Sequence, residues 1–293
     1  MQPRSSRRWD EKLIYVLIVA AISAPMLFNF SMPPVRLAGA EKAFSLISSL
    51  QFEPKEIVFV ALDFGPGTQA ENRVQAEVFV EHLLRKRIPF AVFSLYYLAE
   101  PYLATLPERV VERLQRELPQ ERWEYGVDWV NLGYRPGAAL LIQNIPKSKN
   151  LPELFNQDAR GNDLRSLPVF RGVQTLRQIK VLAEFTGLLG VFDTYVQYFQ
   201  SADYRPIFIH GCTSITIPEA YIYLDSGQIR GLFEGAAGAA WYSELLSRNF
   251  LQRAQDDSAV VNTMLGFAHI VIMLAILAGN VMFWAARRRK RKV

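Results

Sequence analysis

One cysteine, Cys212, stands among 293 residues, so no disulfide can form within the chain. With only His82, His210 and His269 beside it, the sequence offers no zinc-ligand spacing, and no metal is expected. The nucleotide-binding patterns GxGxxG and GxxxxGK[ST] are missing, and so is the GxSxG nucleophile elbow. No cofactor is expected. There is no internal repeat, heptad array or low-complexity tract.

Basic excess is also missing where it would matter. The formal net charge is +5, but ten of the 33 basic residues and only two of the 28 acidic ones lie in the two end segments, 1–12 and 287–293. The middle of the chain is therefore mildly acidic, with a net charge of −3, and has no electrostatic footprint for nucleic acid.

What the sequence does have is two long uncharged apolar runs, one near each end. Residues 13–32 supply about the 20 apolar residues that a bilayer core requires. Residues 259–286 contain no Lys, Arg, Asp or Glu. Arg4, Arg7, Arg8 and Lys12 precede the first run, and Arg287, Arg288, Arg289, Lys290, Arg291 and Lys292 follow the second. Basic flanks stay on the cytoplasmic side, so both termini are expected inside and the middle outside, at the cell (inner) membrane. Ala38-Gly39-Ala40 resembles a signal-peptide cleavage site, but the apolar core is longer than the usual 7 to 15 or so residues. An uncleaved anchor is the expectation.

Between the runs, strand-like and helix-like segments alternate. Residues 37–50 place Ala40, Ala43, Phe44, Ile47 and Leu50 at helical spacing, an amphipathic helix expected on the membrane surface or against the domain. Residues 57–62 (IVFVAL) and 89–95 (PFAVFSL) read as buried strands. The helix between them is opened by a capping box of Thr68 and Glu71, with Val74, Val78, Phe79, Leu83 and Leu84 as its apolar stripe. A charged amphipathic helix is expected over 107–118, a third strand over 138–142 (AALLI), and an exposed loop over 146–168. Further along, the pattern predicts a helix over 172–186, a strand over 188–192 stopping at Asp193, and a strand over 206–209 (PIFI) ending at His210. Thr216 and Glu219 form a second capping box, and 231–246 reads as the closing helix.

Alternating strands and helices predict an α/β fold: a mainly parallel, doubly wound (Rossmann-like) sheet flanked by one transmembrane helix at each end. The expected division is a basic tail (1–12), a signal-anchor helix (13–32), a juxtamembrane helix and linker (33–56), an extracytoplasmic domain (57–250), a transmembrane helix (259–286) and a basic tail (287–293).

In such a sheet, ligands bind beyond the C-terminal ends of the strands. Four residues are expected there: Asp63, Ser94, Asp193 and His210. The segment 63–68 (DFGPGT) sits where a phosphate loop would, making Gly65, Gly67 and Thr68 candidate ligand residues together with Ser94, Thr213 and Ser214. The plain alternative is a tight turn. His210 beside Cys212 could form a nucleophile–base pair oriented by Asp193 or Asp63. The aromatic stretch 125–137 suits a ligand rim or a plug for the core. Gly231, Gly235 and Ala239 stack on one face of the expected closing helix, and Ala275 and Gly279 on one face of the last span, as candidate interfaces.

Three functions follow. The first is a non-catalytic, membrane-anchored component of an envelope assembly, whose partners are the bilayer and other membrane proteins or further copies of itself. The second is an extracytoplasmic small-molecule-binding or sensing domain. The third is a hydrolase or transferase using His210 with Cys212 and Asp193 or Asp63.

Overall fold

The computed structural model describes residues 4–28, 30–251 and 253–290. It forms two compact units, Pro34–Ser258 and the pair of end segments Met1–Pro33 with Ala259–Val293.

In the end unit, helix α1 covers Arg4–Leu27 and the last helix covers Ser258–Lys290. The stretch Ser258–Trp284 has a mean hydropathy of 2.2 and is 6% buried, long and apolar enough to cross a membrane. The N-terminal expectation needs correcting. Among the described residues, the apolar part of α1 is only Lys12–Leu27, and residues 30–37 carry no regular structure. Sixteen residues at about 1.5 Å each give roughly 24 Å of helix, short of the roughly 30 Å core of a bilayer. Phe30 stacks on Phe267 with centroids 6.4 Å apart, and the Met32 N–H donates to Thr263 Oγ1 at 2.9 Å.

The larger unit is built on six parallel strands: β1 (Ile57–Asp63), β2 (Phe90–Ser94), β3 (Trp129–Tyr134), β4 (Ile179–Thr186), β5 (Ile207–Cys212) and β6 (Gly231–Glu234). Their spatial order is β3-β2-β1-β4-β5-β6, so the winding reverses between β1 and β4. One face carries α2 (Ala38–Ser49), α3 (Gln69–Arg85), α4 (Glu100–Glu117) and α9 (Gly235–Asn249). The other carries α5 (Ala138–Asn144), α6 (Leu151–Phe155), α7 (Val191–Tyr198) and α8 (Ile217–Asp225) over a core of Phe59, Phe93, Phe155, Phe170 and Tyr195.

Three sequence expectations fail for identifiable reasons, and one open alternative is decided. Residues 138–142 are helical, because a short apolar run without β-branching at its start fits a helix as well as a strand. The third strand is 129–134, so the aromatic stretch is largely core; Trp129 stacks on Phe90 and takes Tyr125 edge-on. Residues 179–186 (IKVLAEFT) are a central strand, not a helix, and Glu184 inside it hides the apolar run. Residues 188–190 are a loop and 191–192 already open α7, so Asp193 lies in a first helical turn.

The closing segment is split. Residues 231–234 are the edge strand β6, and α9 starts at once at Gly235, whose φ of +59° suits glycine. Gly231, Gly235 and Ala239 therefore share no ridge. A Cβ on Gly231 would lie 2.7 Å from Ala43 of α2, and Ala239 is fully buried, so this small-residue surface is used inside the unit. Ala275 is half-buried and Gly279 exposed on the last helix. The expected loop 146–168 also proves structural, since Leu151, Phe155 and Leu164 complete the core under it.

Candidate functional site

β1 and β4 flank the point where the winding reverses, the usual ligand crevice of such sheets. Here it is closed. A Cβ on Gly187, just past β4, would stand 2.5 Å from Thr68 Cγ2 and 2.7 Å from Thr213 Cγ2. The loop after β1 is a tight turn, with Gly65 O accepting from the N–H groups of Thr68 and Gln69 at 3.1 and 3.0 Å. Thr68 is the N-cap of α3, but its hydroxyl is buried without a hydrogen-bond partner. Glu71 leaves the predicted capping box and instead accepts from Ser214 N–H at 3.0 Å and Ala236 N–H at 3.4 Å. Gly67 is open and exposed. Of the candidates here, Gly65 and Thr68 bond within the turn, Ser214 is held by Glu71, and the Thr213 carbonyl accepts from Thr216 N–H at 3.0 Å.

The open space lies one strand over. Between the C-terminal ends of β4 and β5, a cleft of about 230 Å³ is lined by the 186–190 loop, Phe192, Asp193, His210, Thr216 and Glu219. His210 projects from β5 beside Glu184 of β4, its register partner, with Nδ1 and Oε2 2.6 Å apart. Phe192 covers the imidazole at a centroid distance of 4.0 Å. Burial draws His210 down to about 3 and pushes Glu184 well above the usual carboxyl range, helped by the charge of Asp193. Both shifts favour the uncharged forms, and in that state the carboxyl donates to Nδ1 of a neutral imidazole. The other ring nitrogen, Nε2, is then an N–H donor with no partner among the described residues.

Asp63 belongs to the same buried group. It points to the α7 face two residues beyond Ala61. Its Oδ1 accepts from Ser94 Oγ at 2.7 Å and Leu95 N–H at 2.6 Å, and its Oδ2 from the Tyr195 hydroxyl at 2.8 Å. Burial and neighbouring Glu184 raise it to about 7. Asp193 is exposed at the cleft and accepts from Tyr223 at 2.9 Å. Neither aspartate touches the imidazole. The orienting group is Glu184, hidden from sequence reading because its segment was assigned to a helix; its only signal was a lone acid in an otherwise apolar run.

Cys212 stands apart from this chemistry. Its thiol faces the Phe233 carbonyl at 3.5 Å, and burial pushes it up to about 12. A thiol so placed is inert. The His210–Cys212 pairing is therefore not formed. Among the described residues no group of three or more His, Cys, Asp and Glu side chains could hold a metal ion. Comparison of the chain with protein-family models, with characterised proteins and with solved structures gives no match.

Proposed function

We propose that this chain is a membrane-anchored binding or sensing domain whose ligand is a small, polar, neutral or cationic molecule. The cleft beyond β4 and β5 is the observation that supports this reading. It combines an N–H donor at His210 with carboxylates at Asp193 and Glu219, the Thr216 hydroxyl as an acceptor, and an apolar wall of Leu188, Leu189 and Phe192. No Lys or Arg lines it, so phosphate-bearing ligands are disfavoured. An amine or amino-polyol, with donors for the carboxylates and an acceptor for Nε2, fits best. The hydrolase or transferase reading is weaker, because the cysteine it needs lies outside the cleft. The assembly reading loses Gly231 and Ala239 to internal packing and keeps only the exposed surface of the last helix.

The anchoring part of the proposal is a span at Ser258–Trp284 with the basic cluster 287–292 cytoplasmic and the larger unit outside. The Lys and Arg residues that directly follow the apolar run support it. A cysteine introduced at Val293 should resist a membrane-impermeant thiol reagent in intact cells, while one at Ser148 should react; the reverse pattern overturns the orientation. For the cleft, a thermal-shift panel of small amines, amino sugars and polyols on the detergent-purified chain is the direct test. A compound should raise the Tm of the wild type and lose most of that effect with Asp193→Asn or Glu219→Gln. A panel without any shift removes the ligand reading.

A further inference from the structure

The connections at the two edges of the sheet differ in chemistry. At the N-terminal edge they are strongly charged. Glu53, Lys55 and Glu56 precede β1, Lys86 and Arg87 precede β2, and Asp203 and Arg205 precede β5. At the C-terminal edge Arg135 follows β3, but the segments 64–68, 95–99, 187–190 and 213–216 contain no Asp, Glu, Lys, Arg or His. Their tips expose Tyr97, Leu98, Leu189 and Ile215, the last two more than 80% exposed. Single exposed apolar residues are ordinary. Apolar, uncharged tips on the loops after β2, β4 and β5, all at one edge, are not explained that way.

Both ends of the larger unit lead toward the same edge. Helix α2 starts against Glu234, the last residue of β6, whose carboxylate accepts from the N–H groups of Gly39 and Ala40 at 2.9 and 3.1 Å. At the other end, α9 runs away from that edge, and the chain after it turns back along α9 and α3. Arg253 meets Glu81, Asp256 meets Ser243, and Asp257 lies 3.7 Å from Arg73 in the second turn of α3. The next residue, Ser258, opens the apolar helix. The chain thus enters and leaves this unit on the side where its loops are apolar.

We infer that the C-terminal edge of the sheet is a bilayer-contact surface, with the tips at Tyr97, Leu98, Leu189 and Ile215 set in the lipid interface. Aromatic and aliphatic tips gain from burial at that depth, and the lack of charge in the loops avoids the desolvation that Lys or Asp would suffer there. The inference rests on the final helix being a membrane span; Leu189 belongs both to this surface and to the wall of the cleft, whose Asp193 and Glu219 stand in the helical turns that follow the tips.

The test uses the full chain reconstituted in phosphatidylcholine vesicles. A polarity-sensitive fluorophore is attached to Ile215→Cys, Tyr97→Cys or, at the opposite edge, Gln120→Cys, with buried Cys212 of the wild type as the labelling blank. A nitroxide on the lipid acyl chain should quench the labels at 215 and 97 several-fold more than the label at 120. Adding Leu98→Glu to the Tyr97→Cys chain should reduce that quenching by half or more. Equal quenching at all three sites overturns the proposal. So does a label at 215 that is shielded from aqueous iodide, untouched by nitroxide lipid and crosslinked to a second copy, since the occupant would then be protein. Asp193→Asn should leave quenching unchanged, which separates failure of the cleft reading from failure of this one.

Discussion

Two buried polar clusters lie on opposite faces of the same sheet and handle charge in opposite ways. Outside α3, Glu81 accepts from Arg85, Arg113 and Arg253, while Arg85 also meets Glu117 and Arg253 also meets Asp256. Three carboxylates face three guanidinium groups, so every charge is matched. Under α7, Asp63 and Glu184 are fully buried with only hydroxyls, a backbone N–H and an imidazole as partners. No cation balances them. The first arrangement fastens α3, α4, α9 and the chain leading to Ser258 to one another. The second keeps carboxyl groups protonated near neutrality, beside the cleft, and such perturbed groups gather at functional sites.

The sharpest way to break this contrast is Glu81→Ala. Removing the one carboxylate that three arginines share leaves buried positive charge unpaired, which typically costs about 3–5 kcal/mol. Chemical denaturation of the purified chain should show a loss of that size for the larger unit. A loss below about 1 kcal/mol would mean that water reaches the network and that it is not the fastening described.

Asp63→Asn should reveal the opposite logic through pH. The folded value of Asp63, about 7, lies above its ordinary 3.8, so its stabilising contribution is complete below about 3.8 and is lost as pH rises through 7. At about 1.36 kcal/mol per pKa unit, the loss is on the order of 4 kcal/mol at most. Asparagine keeps an acceptor for Ser94 and Leu95 and cannot ionise, so the variant should lack the decline between about pH 3.8 and 7. His210 works with the other sign. Its folded value of about 3 lies below 6.5, so its contribution is present above 6.5 and fades on acidification. The acid limb should therefore survive in Asp63→Asn. A variant profile parallel to the wild type throughout would assign the decline to Glu184 alone.

Gly187→Ala sharpens the location of the site. The added methyl would press on the Thr68 and Thr213 methyl groups that close the β1–β4 crevice. Overpacking of this kind costs about 1–3 kcal/mol, measurable as a lower Tm. If the crevice were a working ligand site instead, the methyl would be accommodated, and ligand-induced stabilisation would be lost without any fall in the Tm of the free protein.

These contrasts were only partly legible in the sequence. β1, β2 and α3 were readable because IVFVAL and PFAVFSL are unbroken apolar runs and Val74, Val78 and Phe79 keep a helical period. In the half after β3, β5 was readable from PIFI at 206–209, but β4, β6 and α7 were not. Lys180 and Glu184 interrupt β4, Gly235 joins β6 to α9 without a loop, and α7 is too short for its period to show. Asp63 and His210 could be placed at strand ends, but Glu184 and Glu219 became visible only once β4 and β5 were seen side by side. Cys212 looked reactive because it neighbours His210 in sequence. Two residues apart on a strand, their side chains share a face, but their polar atoms turn to different partners.

The smallest effect expected is at an ion pair of the same chemistry as the Glu81 network, placed in water. Arg165 clasps Asp163 through three side-chain hydrogen bonds, more than Glu81 receives from Arg85 or Arg113. Counting contacts would rank it among the strongest pairs in the molecule. Yet both residues are exposed, 67% and 45% by side chain, so solvent screens the charges and rehydrates whichever partner remains. Arg165→Ala should leave the Tm of the larger unit unchanged within error at physiological salt. Asp163 also accepts from the Arg165 backbone N–H at the start of a short helical turn, and that bond survives the substitution. A Tm loss approaching that of Glu81→Ala would show that desolvation is not what separates the two, and the contrast between matched and unmatched burial would then have to rest on geometry alone.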